Sequence, residues 1–239
     1  MKSKSKGTGL IFSDTHCPAM HKDAVRFLTE IMLFHEVKWV VINGDLVDNY
    51  SLSQFGKAPN AFRDDEELEQ TAKQLERLFK LFKGLPVTVT KGNHEDRADK
   101  RFAMTDMSRK RIVPFRDVYK LPANWEYVDN VIIPQKQGKI LIEHDISRSG
   151  ETSIAKAQCN TIQGHWHSQF DMIFRRLRTG ETRWSVYLGS LADQQHKCLR
   201  YAAKAFRTCV GGAMILDQGY PTLYPMITSA KGNWIRRLV

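Results

Sequence analysis

The chain of 239 residues lacks the features of a membrane-spanning or disulfide-stapled protein. No apolar run approaches the roughly 20 residues that cross a bilayer. Its four cysteines, Cys17, Cys159, Cys198 and Cys209, show no C-x-x-C spacing. That argues against a structural zinc knuckle and a dense disulfide framework. Cys17, beside His16, reads as a plain packed thiol. Internal repeats, low-complexity tracts and a boundary linker are also missing, so a single domain over residues 1–239 is expected. The start is basic, but the apolar stretch after it, Leu10-Ile11-Phe12, is too short for a signal-peptide core. A cytoplasmic location is the default expectation. Acidic residues are the minority, 26 against 36 Lys and Arg, for a net charge of +10. Such a protein attracts polyanions, which gives weight to nucleic-acid, nucleotide or anionic-lipid substrates. A basic surface kept for solubility would give the same number.

What the chain does have is five short clusters of metal-ligand residues. They are Asp14-Thr15-His16, Gly44-Asp45-Leu46-Val47-Asp48, Gly92-Asn93-His94-Glu95, His144-Asp145 and Gly164-His165-Trp166-His167. Five of the eight histidines fall inside them. Each cluster follows a β-like apolar run. Imidazoles and carboxylates with one amide oxygen suit divalent ions such as Mn, Fe and Zn. The pattern predicts a two-metal hydrolytic centre at strand ends. Asp45 is the natural bridge, because the two oxygens of one carboxylate can bind both ions. Asp14 and His16 lie two apart, as do His165 and His167, so at an extended strand end each pair points one way. Of the other histidines, His35 suits a helix end, while His21 and His196 are candidates to touch substrate.

Strands and helices alternate in the first half. Gly9 to Ser13, Val37 to Ile42 and Pro86 to Thr90 read as buried strands; residues 21–35 and 64–83 read as helices. Residues 97–120 are rich in Lys and Arg. The second half is more β-like, with strands expected at Val128 to Ile133, Lys139 to Glu143, Cys159 to Gln163, Phe170 to Leu177 and Arg183 to Leu188. The last two form a hairpin, and Gly212 to Leu216 with Thr222 to Met226 form another.

The series D-x-H, G-D-x-x-D, G-N-H-E, H and G-H-x-H, over about residues 10–190, resembles the calcineurin-like metallophosphoesterase superfamily. Tyr187-Leu188-Gly189-Ser190 also resembles that family's strand ending in Gly-Ser. The resemblance implies an α/β fold, a four-layer α/β/β/α sandwich with a dinuclear site at the strand ends. One ion would be held by Asp14, His16, Asp45 and His167, the other by Asp45, Asn93, His144 and His165. Two divalent ions are implied, manganese first, with iron, zinc, nickel or cobalt as alternatives. A bridging water or hydroxide would attack phosphorus in line, and His94 would protonate the leaving oxygen as general acid. Asp48 would fix the tautomer of His94.

A protein Ser/Thr phosphatase of this superfamily would carry Arg after the second Asp of G-D-x-x-D, where this chain has Asn49. It would also lack the second histidine of G-H-x-H, here His167. The pattern is closer to the phosphodiesterase and nuclease branches. A phosphomonoesterase, a nucleotide-sugar or lipid pyrophosphohydrolase, and a non-enzymatic scaffold are the alternatives. Three features point toward a nucleic-acid or nucleotide substrate. They are the net charge, the basic stretch Lys100, Arg101, Arg109, Lys110, Arg111, Arg116, and the hairpin Arg175, Arg176, Arg178, Arg183 with Trp184, near Trp166. The bland reading of each is a solvated face or turn packing. Residues 191–211, with His196, Lys197, Arg200, Tyr201 and Arg207, are a candidate lid or partner surface. Oligomeric state is not legible.

Overall fold

Apolar residues run without a break through the first two strands, and their side chains divide between two cores. In β1 (Thr8–Phe12), Leu10 and Phe12 face one way and Ile11 the other. In β2 (Val37–Asn43), Val40 and Ile42 join the first group, and Trp39 and Val41 the second. Successive side chains of a strand point to opposite faces, so a continuous apolar run means a sheet buried on both sides. These strands are described in a computed structural model covering residues 7–54, 62–105, 108–136, 138–199 and 209–235.

Two sheets stack face to face. The first continues with β3 (Val87–Thr90), β4 (Trp125–Val128), β10 (Gly211–Asp217) and β11 (Tyr220–Met226), in the order β11-β10-β1-β2-β3-β4. β1 to β4 are parallel, and β10 and β11 are an antiparallel flank. The second contains β5 (Val131–Gln135), β6 (Gly138–Ile142), β7 (Asn160–Gln163), β8 (Phe170–Arg176) and β9 (Thr182–Leu188), in the order β5-β6-β7-β9-β8. Ile140, Ile142, Ile162, Val186 and Leu188 of this sheet meet Ile11, Val41, Met214 and Leu216 of the first.

Helices cover the outer faces. α1 (Ala24–Phe34) buries Ala24, Phe27, Leu28 and Ile31, the i, i+3, i+4, i+7 stripe, against the first sheet. α2 (Asp64–Leu81) lies beside it and buries Leu75 and Leu78. Each such side chain contributes about 2 kcal/mol by leaving water. α3 (Asp96–Ala103) and the short α4 (Phe115–Val118) follow β3, and α5 (Gly150–Ala157) packs on β7, β8 and β9. The result is the expected α/β/β/α sandwich. No helix among the described residues is long and apolar enough to cross a membrane.

The structure departs from the sequence reading in two ways. The strand expected over Val128 to Ile133 is two strands split at Asp129-Asn130, and β4 and β5 enter different sheets. The helices α3, α4 and α5 carry no expectation from the sequence.

Candidate metal centre

Parallel strands deliver their carboxyl ends to one edge of the sandwich. The loops after β1, β2 and β3 meet those after β6 and β7 there, and each carries one of the five clusters. Unusual torsions make the convergence possible. Asp14 (φ 54°), His16 (46°), Asp45 (48°), Asn49 (50°) and His165 (66°) all adopt left-handed backbone. A residue with a Cβ loses about 1–2 kcal/mol there, and such strain persists where surrounding contacts over-determine it, as active sites do. Two glycines open the space. A Cβ on Gly44 (φ 73°) would strike the His144 ring, and one on Gly92 would strike Asp45.

Asp45 stands in the middle, nearly inaccessible. Its Oδ2 lies 3.1 Å from His144 Nε2, 3.7 Å from His16 Nε2 and 3.8 Å from His94 Nε2. On one side, His167 Nε2 is 2.9 Å from Asp14 Oδ1 and 3.0 Å from His16 Nε2. Potential ligand atoms of Asp14, His16, Asp45 and His167 fall within 4.8 Å of one another. On the other side, the same holds for Asp45, His144 and His165. His165 Nδ1 is 2.8 Å from Asn93 Oδ1, which brings the amide to this second group. All seven sequence-predicted ligands therefore converge on two adjoining groups sharing Asp45. The Gly189-Ser190 turn buttresses them, because Ser190 Oγ and the Leu191 amide both donate to the Asp14 carbonyl.

The donor set suits two divalent cations. His144 Nδ1 is bonded to the Asn43 carbonyl at 2.7 Å, which fixes the ring. Its buried Nε2 makes no hydrogen bond despite its nearness to Asp45. His16 is anchored through Nδ1 to Asp48 Oδ1 at 2.9 Å, leaving Nε2 inward and within 3.0 Å of another imidazole nitrogen. Buried nitrogens arranged in this way require a proton or a cation between them. Burial would lower the His16 imidazole, but Asp14, Asp48 and Asp45 override it and raise it to about 10. The same contest raises His144 to about 10, through Asp45 and Asp14, and His167 to about 9, through Asp14. Burial likewise pushes the Asp14 carboxyl up, and the charges of His144 and His167 hold it well below the usual carboxylate range. A group with a raised pKa keeps its proton until the pH passes that value, so at neutral pH His16, His144 and His167 hold protons in the metal-free protein, while burial and the His144 charge lower His165. Metal ions take the neutral form. Titrating Mn2+ into metal-free protein at pH 7 is therefore expected to release protons, with affinity rising toward pH 9. Calorimetry in buffers of different ionisation enthalpy tests this; equal heats in every buffer would contradict it.

Asp48 does not serve His94 alone, as the sequence suggests. Its Oδ1 sits between His16 Nδ1 (2.9 Å) and His94 Nδ1 (3.0 Å), and the shorter contact of His94 is to the Asp48 main-chain carbonyl at 2.7 Å. Either contact turns His94 Nε2 toward the metal-ligand side.

Two residues in these contacts were assigned no role from sequence. The buried Glu95 carboxylate accepts the amides of Gly92 (2.9 Å), Asp45 (3.0 Å) and Val47 (3.2 Å), tying the loop after β2 to the loop after β3. Burial and the Asp45 charge push its carboxyl up, against the His144 charge and the amides of Val47 and Gly92. Glu95→Ala is expected to orphan them at about 1–3 kcal/mol each and to lower the denaturation midpoint of the metal-free protein. Glu95→Gln should recover part of that. An unchanged midpoint for the alanine variant would mean the carboxylate does not hold the loops. The other residue is Arg97, three after His94 and therefore one helical turn on; its guanidinium reaches the His94 ring.

Three substrate candidates, His21, Arg175 and Arg176, share no contact with the ligand groups among the described residues, whereas the Asp48 charge reaches His196. His21 is committed through Nε2 to the Gly232 carbonyl at 3.0 Å and through Nδ1 to the Asp23 amide. His196 stacks on Phe62, beside a small core that includes Tyr50, the neighbour of Asn49. Arg175 and Arg176 end β8, five or six residues beyond Phe170 at its site end, or roughly 16–20 Å along the strand. Arg175 pairs with Glu151. Trp166 does stand at the rim, edge-on to His165 (4.9 Å, 87°), with the Arg148 guanidinium 5.5 Å from its ring centre. The basic stretch after α3 is partly structural. Arg101 donates to the carbonyls of Leu52 and Ser53, and Arg116 to those of Leu121, Pro122 and Trp125. Arg200, Tyr201 and Arg207 lie outside the described residues.

A two-sheet sandwich gathers imidazoles and carboxylates at its parallel strand ends, a donor set suited to divalent cations. The family model described as calcineurin-like phosphoesterase matches residues 9–194, and the chain belongs to that family. The family uses a dinuclear metal centre, in keeping with the two ligand groups. Among solved structures, Vps29 from Chaetomium thermophilum has this fold at 12% identity, over 95% of this chain and 92% of that one, with a TM-score of 0.50. An archaeal phosphodiesterase matches at 17% identity, over 91% and 99%, with a TM-score of 0.44. The nuclease MPE of Pseudomonas putida matches at 16%, over 91% and 86%, with a TM-score of 0.38. No curated protein matches the chain.

Proposed function

We propose that this protein is a phosphodiesterase acting on a nucleic-acid or nucleotide-type substrate. The observation that carries the reading is the placement of His94. Its ring is anchored through Nδ1 at Asp48, and its Nε2 lies 3.8 Å from Asp45 Oδ2, beside both ligand groups. Asp14, His16, Asp45 and His167 would hold one divalent ion, and Asp45, Asn93, His144 and His165 the other. Bound there, the ions supply a nucleophile at neutral pH and neutralise charge on the phosphoryl group. In the reaction, water adds to phosphorus as the bond from phosphorus to the leaving oxygen breaks. His94 Nε2 gives its proton to that oxygen. Asp48, in contact with Nδ1, orients the ring and stabilises its charged form.

The diester preference rests on the second imidazole of Gly164-His165-Trp166-His167 and on the side chain after Asp48. That residue, Asn49, is buried and spends its amide on the His94 carbonyl, so it offers substrate no cation. The net charge of +10 and the Arg148–Trp166 pair at the rim fit a nucleotide, whose base stacks while its backbone meets positive charge. Purified protein with Mn2+ is expected to hydrolyse bis-p-nitrophenyl phosphate faster than p-nitrophenyl phosphate. Silence with Mn2+, Fe2+, Zn2+ and Co2+ would overturn the reading; a strong monoester preference would make it a phosphomonoesterase. Single-stranded and duplex DNA, RNA, cyclic nucleotides and nucleotide diphospho-compounds then define the substrate.

A further inference from the structure

Arg97 is the second residue of α3, three after His94, and its side chain folds back to the imidazole. Nη2, which has only hydrogens to give, lies 3.1 Å from His94 Nε2, so that nitrogen is the acceptor in the free protein and Nη2 is released for substrate when Nε2 carries the proton it will donate. Nη1 donates to the Asp48 carbonyl at 2.7 Å and approaches the Asn49 carbonyl at 3.4 Å. The side chain is only 13% exposed, so this is a held guanidinium rather than a surface arm. It shares the Asp48 carbonyl with His94 Nδ1, which locks ring and guanidinium into one unit. The atom it touches is the nitrogen that would face the leaving oxygen. Anything that bonds to Nε2 during hydrolysis therefore arrives beside Nη2.

A planar guanidinium stays charged at any working pH and presents paired donors that match phosphoryl oxygens. Nη1 is occupied by main chain, while of the two hydrogens on Nη2 one meets the His94 ring and the other points away from it. We propose that Arg97 is a second catalytic residue: its Nη2 binds a phosphoryl oxygen of the substrate next to the leaving group and steadies the charge gained there as the bond to that group breaks. Arg97 exchanges no proton; His94 alone supplies the one the leaving oxygen takes. The assignment rests on the phosphoester-hydrolase reading. It answers how a site whose Asn49 brings no cation holds an anionic substrate on the leaving-group side.

The merely structural alternative is that Arg97 ties α3 to the 48–49 turn. Arg97→Gln, Arg97→Lys and Arg97→Ala, loaded with Mn2+, separate the two. Loss of one preorganised donor costs about 10²–10³ in kcat. Arg97→Ala is expected to fall in that range with two ions still bound, its melting temperature lowered only by the loss of the contact with the Asp48 carbonyl. Guanidinium at sub-denaturing concentration should restore part of its rate and none of that of His94→Ala. Inorganic phosphate should bind Arg97→Gln at least about tenfold more weakly than wild type by calorimetry, a loss of about 1.4 kcal/mol. Arg97→Lys should lie between. Full kcat and undiminished phosphate affinity in Arg97→Gln would overturn the proposal. So would a loss that guanidinium fails to rescue and that accompanies loss of metal. If wild type hydrolyses nothing yet phosphate binding still depends on Arg97, the hydrolase reading falls while the anion contact stands.

Discussion

Asp45→Ala is expected to bind at most one ion where wild type binds two, and to leave turnover near background. Asp45 belongs to both ligand groups, and its Oδ2 is near three imidazole nitrogens. Its Oδ1 also accepts the His94 amide at 2.9 Å. Removing it takes away a ligand shared by two ions and a contact that seats His94. It also deprives His16 and His144 of a carboxylate that helps to hold their second protons. Asp45→Asn keeps the Oδ1 acceptor and the volume but not the charge. It should preserve the fold by circular dichroism and still lose metal. Elemental analysis after dialysis reads both variants. Two tightly held ions in Asp45→Ala would remove Asp45 from the centre of the site.

His94→Ala should behave differently. His94 is absent from both groups that contain Asp45, and its loss leaves those potential ligand atoms in place. Full metal occupancy is therefore expected, with kcat down by about 10²–10⁴ for an ester that needs its leaving oxygen protonated. The size should depend on the leaving group. A nitrophenolate departs as a stable anion and needs little help, whereas an alkoxide such as a nucleoside hydroxyl needs a proton. Rates with bis-p-nitrophenyl phosphate and a dinucleotide should thus diverge in the variant. An equal loss on both substrates, or loss of metal, would mean that His94 acts as something other than an acid.

Much of the fold was legible because the first strands are buried on both faces, which makes Leu10-Ile11-Phe12 and Val40-Val41-Ile42 unbroken apolar runs. β4 was not separable from β5, since only Asp129-Asn130 divides two apolar stretches and nothing local says that they enter different sheets. α5 begins at glycine, contains the β-branched Thr152 and Ile154, and buries little beyond Ser153 and Ile154. Its helix depends on packing against β9, which no local preference announces. At the site, the seven ligand candidates were readable because residue type and order carry that chemistry. Glu95 and Arg97 were not assigned roles, because these depend on where a side chain folds back. His21 turns its ring to the Gly232 carbonyl, because proximity in sequence to Asp14 does not set the direction of a ring.

The left-handed torsions at Asp14, His16, Asp45, Asn49 and His165 have a consequence for engineering. Selection for heat resistance alone would reward substitutions that relax these five positions, glycine above all. Four of them carry candidate ligands, so the same substitutions would dismantle the cage. A thermostable variant that remains active should gain its stability elsewhere, in the helices and the inter-sheet core, and keep the costly strand ends intact.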